Sequence, residues 1–131
     1  MDSEGPSLIL MQEARKPWAR GAAVATGVAV AYYALARLGF LFSLPDSLAS
    51  PVWPPTGLAI AAIALWRWPA ALGVFLGAVA AEWAASGSLA VALGMGVGNT
   101  LEGVAAGFML ARFGGAATFR RTAGVGWFIF A

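Results

Sequence analysis

The chain predicts an all-α, polytopic membrane helix bundle, and three observations carry that prediction. Of its 131 residues 60% are hydrophobic and only 11% are charged, far from the balance of a soluble domain. Its apolar runs are long enough to cross a bilayer, whose hydrocarbon core takes about 20 helical residues. They also lack the two-residue alternation of a transmembrane barrel, so helices must satisfy the backbone internally.

Residues 1–17 form a polar leader with Asp2, Glu4, Glu13, Arg15 and Lys16, and residues 18–131 are read as one membrane-integral domain. The first span is expected from Gly21 to Leu44. Ala34-Leu35-Ala36 has the small-x-small form of a signal-peptidase site, but the apolar run continues past it and more spans follow. Ser50 to Gly57 then reads SPVWPPTG. Pro54 and Pro55 donate no backbone hydrogen bond and bias their predecessors away from the helical region. A helix is therefore expected to begin near Thr56 and to end at Arg67-Trp68. About 13 residues rise only ~20 Å against a core of ~30 Å, so the Ser50 to Pro55 stretch is expected to supply the missing depth. A third span runs from Pro69 to about Ala85, Ser86-Gly87-Ser88 forms a tight turn, and a fourth span covers about Leu89 to Phe113. The apolar segment from Thr122 to Ala131 is too short to cross and is read as a truncated fifth helix. The chain is accordingly expected to be an N-terminal fragment.

Charge placement orients the bundle. Arg15, Lys16, Arg20, Arg67, Arg112, Arg120 and Arg121 fall on one side of the four-span topology, seven of the eight basic residues. The positive-inside rule makes that side, and the N-terminus, cytoplasmic. A bacterial inner membrane is the expected location, with SPVWPPTG facing outward. The net charge of +2 offers no basis for nucleic-acid binding.

The chain contains neither cysteine nor histidine, which excludes disulfides, thiolate nucleophiles, imidazole metal sites and a histidine phosphoacceptor within it. No phosphate loop, nucleophile–base pair or metal cluster appears, so no enzyme activity, metal or cofactor is assigned. The candidate site residues are the polar ones at membrane depth, where ionisable groups mark sites or internal pairs. Arg37 lies inside the first span, with Glu82 of the third as the partner matched in depth. Glu102 lies near mid-membrane on the fourth, flanked by Asn99. Trp53, clamped beside Pro54 and Pro55, is expected to form a rigid wall of an outward-facing pocket with Arg37 and Glu82. Tyr33, one turn before Arg37, is expected to share its face, with a core role preferred. Trp18, Trp68 and Trp83 read as interfacial anchors. Gly73 with Gly77, Gly94 with Gly98, and the stripe Gly96, Thr100, Gly103 and Gly107 have the small-residue spacing that lets helices approach closely.

Ala36-Arg37-Leu38-Gly39, SPVWPPTGL, Trp68-Pro69 with GVFLGA from Gly73 to Ala78, and GNTLE from Gly98 to Glu102 together resemble the bacterial membrane-associated sensor domain of the MASE type, the first of that series. The resemblance runs from about Ala31 to the end. It implies an integral-membrane input domain ahead of a histidine kinase, a diguanylate cyclase or a related output module, with this chain holding the N-terminal half. The family often shows an asparagine near the end of the third helix, where this chain has Ala81-Glu82-Trp83, and an acidic residue there would alter what is sensed. Expected partners are the lipid bilayer, an unknown small-molecule or physical signal, the covalently linked output domain and a second copy of the chain. Two other classes compete: half of a small secondary transporter, for which broken helices and midplane charges are also expected, and a passive anchor that dimerises through its glycine faces.

Overall fold

A computed structural model describes residues 17–43 and 53–112, and all regular structure among them is helical. The elements are α1 (Pro17–Phe40), α2 (Pro54–Trp66), α3 (Trp68–Ser86) and α4 (Leu89–Arg112). Three of them, α1, α3 and α4, are long and apolar enough to cross a membrane; α2, at 13 residues, is not. The expected count of four spans and a fifth thus reduces to three long helices and one short one, and the expected fifth falls outside the described residues.

α1 has the expected 24 residues but begins four residues earlier, at Pro17, and ends at Phe40. The expected span started where continuous apolarity starts, yet Trp18 and Arg20 are amphipathic residues that continue a helix into the interface. At the other end the chain tightens into i→i−3 bonds, with Leu41 N–H donating to Leu38 O at 3.1 Å and Phe42 N–H to Gly39 O at 3.0 Å, which closes the helix.

α2 begins at Pro54, two residues before the expected Thr56, with the proline pair at its first positions. Those are the positions whose N–H groups have no intrahelical acceptor, so proline costs nothing there and its fixed φ suits the helix. Arg67 serves both neighbours: its N–H donates to Ile63 O at 2.8 Å to close α2, and its carbonyl accepts from Ala71 N–H at 3.0 Å to open α3. It does so at φ 55° and ψ −124°, a region favourable only to glycine. Between α3 and α4, Gly87 takes the left-handed conformation at φ 68°, the usual helix-terminating role of that residue. Ser88 Oγ accepts from Val91 N–H at 3.4 Å as the cap of α4.

α3 is the centre. α1 packs along one side of it and α4 along the other, α1 and α4 do not touch, and short α2 lies against all three. The core is built from small residues: Ala36, Ala59, Ala62, Ala70, Ala71, Ala78 and Ala81 are buried around Val28, Tyr32 and Val74. In lipid no hydrophobic effect drives helices together, so close van der Waals approach must do it. Gly73 and Gly77 provide it between α3 and α1. A Cβ at Gly73 would meet Ala25 O at 2.5 Å, and one at Gly77 would meet Ala29 O at 2.6 Å and Tyr32 Cβ at 2.9 Å.

The predicted stripe on α4 is divided between two neighbours. Gly96 faces Val79 and Phe75 of α3, whereas Gly103 and Gly107 face Ile63 and the α2 backbone around it. Thr100 takes no part in a cross-helix bond; its Oγ donates to Gly96 O of its own helix at 2.7 Å. Gly94 and Gly98 have nothing within 4 Å of a hypothetical Cβ, so that pair packs against no described neighbour.

Candidate functional site

α1 buries Ala25, Val28, Tyr32 and Ala36, a stripe at helical spacing that meets α3. Tyr32 is the largest fully buried side chain of the described residues, at 1% exposure. Trp53, the residue that caps α2, reaches back over the end of α1. Its ring lies 5.1 Å from that of Phe40 at 60°, a tilted aromatic contact, and its edge covers Gly39, where a Cβ would come within 2.9 Å of it. On the other side the Trp53 indole N–H is the hydrogen-bond donor facing the Tyr32 hydroxyl. Pro55, fully buried, fixes the backbone just after it, and Pro54 Cδ also borders Gly39. The proline pair holds the tryptophan in place by beginning a helix.

Two carboxyls act on the same tyrosine. Glu82 of α3 and Glu102 of α4 both lie within electrostatic range of the Tyr32 hydroxyl. Glu82 is only 3% exposed, and its backbone carbonyl accepts from Ser86 Oγ at 2.8 Å. Glu102 is exposed on the bundle surface, beside Gly103, where α4 meets α2. Asn99, one turn earlier, has its Nδ2 buried with no hydrogen-bond partner, a donor whose burial costs about 1–3 kcal/mol until an acceptor reaches it.

Arg37 stands apart from this group. It lies in the last turn of α1 and is exposed, and it makes no ion pair with Glu82 or Glu102. The reason is register. Ala36 is the buried member of that turn, so Arg37 and Tyr33 share the outer face, and the earlier end of α1 brings Arg37 to three residues from the terminus. A cation there is favoured by the helix dipole and by access to the interface. Trp18, Trp68 and Trp83 are also exposed.

Trp53 borders Tyr32, while Glu82 and Glu102 lie within electrostatic range of it, and Arg37 points away. Tyr32 was missed in the sequence, although a signal existed: it continues the small-residue stripe of Ala25, Val28 and Ala36, whereas Tyr33 is one step out of phase. With two carboxyls, a phenol and an indole N–H, the group can accept hydrogen bonds or meet a cation. Among the described residues no three acidic, histidine or cysteine side chains gather as metal ligands.

No curated protein and no solved structure matches the chain significantly. The sequence profile of the MASE1 family matches residues 25–131, which include all four helices of the bundle except the first turns of α1. The chain therefore belongs to the MASE1 family of membrane-associated sensor domains found in signalling proteins.

Proposed function

We propose that this chain is the sensory input domain of a bacterial signal-transduction protein, and that its signal acts at the Tyr32–Trp53–Glu82–Glu102 group. One observation carries the reading: each of these residues comes from a different helix or helix end, including α1 and α4, which do not touch. A signal that engages the group would couple all four helices, and if it favours one of two arrangements it shifts their equilibrium. The donor and acceptor set suits a small polar or cationic molecule. Arg37 has no part in this group; Asn99, with its unanswered donor, lies along the path by which α4 would relay the change.

The wider setting belongs to the same proposal. The protein sits in the bacterial inner membrane with its N-terminus cytoplasmic, crossing it with α1, α3 and α4. The output module is a histidine kinase or a diguanylate cyclase. In the intact protein, Trp53→Ala, Tyr32→Phe and Glu82→Gln are expected to hold output at one level across growth conditions while membrane insertion is unchanged. Normal regulation in all three variants would overturn the reading and favour a passive anchor. For the anchor reading, Gly73, Gly77, Gly96, Gly103 and Gly107 are occupied inside the bundle, which leaves Gly94 and Gly98 on α4 as the glycine face open to a second copy.

A further inference from the structure

At the opposite end of the bundle from Trp53, the first turn of α1 and the α2–α3 corner enclose an open groove of about 560 Å³, lined by Arg20, Gly21, Ala23, Val24, Trp66 and Pro69. Two features there call for an anion. Arg20 is exposed in the first turn of α1, where the helix dipole disfavours a cation unless negative charge accompanies it. The start of α3 also borders the groove through Pro69, and no side chain caps it, so its dipole adds positive potential. The acids of the described residues, Glu82 and Glu102, lie well into α3 and α4, so none faces this groove.

The walls are apolar and exposed Trp66 and Trp68 flank the corner, a pairing of the kind that gathers at headgroup depth. An anion that combines a phosphate with a hydrocarbon tail fits such a place better than a free ion.

We propose that this groove binds the headgroup of an anionic phospholipid, with Arg20 contacting the phosphate and the Trp66–Pro69 corner holding the glycerol and upper chains. The site does not depend on the sensory reading and can hold or fail separately from it. Basic pockets between membrane helices are known hosts of such headgroups. Bound lipid would tie the start of α1 to the α2–α3 corner.

The test is lipid binding to the purified chain in detergent micelles, measured by native mass spectrometry during titration with phosphatidylglycerol, phosphatidylcholine or inorganic phosphate. Phosphatidylglycerol is expected to bind about tenfold more tightly than phosphatidylcholine, which has the same phosphate but brings the cation of its choline against Arg20. Arg20→Gln should remove that preference. So should Gly21→Leu, which fills the groove without changing charge, since a Cβ at Gly21 meets Pro69 Cγ at an ordinary 3.7 Å. Arg112→Gln should keep the preference, because Arg112 is not among the residues that line the groove. Equal losses in Arg20→Gln and Arg112→Gln would reduce the effect to diffuse surface charge and overturn the site. Displacement of the lipid by equimolar inorganic phosphate would overturn the lipid as its occupant. Should circular dichroism show Arg20→Gln to be unfolded, Gly21→Leu decides alone.

Discussion

Trp53 lies over Phe40 with ring centroids 5.1 Å apart and an interplanar angle of 60°, so the residue that starts α2 is packed on the residue that ends α1. The same indole covers Gly39 and faces the Tyr32 hydroxyl. A substitution here separates packing from hydrogen bonding. Trp53→Phe keeps an aromatic on Phe40 and removes the N–H, and should cost about 1 kcal/mol for the lost hydrogen bond plus some packing. Trp53→Ala should cost about 3–5 kcal/mol, as large aromatic truncations do. Unfolding in a detergent–denaturant titration checks both, and equal losses would show that the N–H contributes nothing.

Gly39→Ala is expected to displace that indole, because the new Cβ would approach Trp53 Cε3 to 2.9 Å. The change should blue-shift or broaden tryptophan emission and destabilise by about 1–3 kcal/mol, the usual cost of overpacking. An unaltered spectrum would mean that Trp53 is not held where the structure has it.

The glycines divide into two classes that sequence spacing could not separate. Gly73→Ala and Gly77→Ala drive a methyl into the α1 backbone and should each cost 3 kcal/mol or about that, the upper end of overpacking. Gly94→Ala and Gly98→Ala meet nothing and should stabilise α4 by about 0.5–1 kcal/mol through helix propensity. Thermal unfolding of the four variants in one detergent is the measurement, and similar effects across the two pairs would refute the packing described.

Arg67→Gly should stabilise the fold by about 1 kcal/mol, since it relieves a conformation costing an L-residue about 1–3 kcal/mol and gives back part of that through glycine's larger unfolded-state freedom. A lower unfolding midpoint would show that the Arg67 side chain contributes more than its backbone costs.

The topology can be tested cleanly because the chain has no cysteine. Single cysteines at Ala85 and Arg112, both exposed and at opposite ends of the bundle, should label from opposite faces of the membrane with an impermeant maleimide. Labelling of both from one side would contradict α4 as a span.

Membership of the all-helical membrane class was legible in the chain itself, since composition and run length decide whether a helix is more stable in lipid than in water. The α3 and α4 limits and the turn at Gly87 were also close to expectation, because glycine and serine act locally there. The chain further marked Glu82, Glu102 and Trp53 as costly or unusual at membrane depth, which single residues can show. Other features needed the folded bundle. Whether Pro54 and Pro55 break a helix or begin one depends on which N–H groups lack acceptors, and that is known only once α2 has its start. Whether Tyr32 or Tyr33 faces inward, and whether Arg37 meets Glu82, turns on about 100° of helix rotation, set by how Gly73 and Gly77 admit the α1 backbone. The burial of Tyr32 between α1 and α3, under the Trp53 that caps α2, is a non-local fact, decided by packing alone.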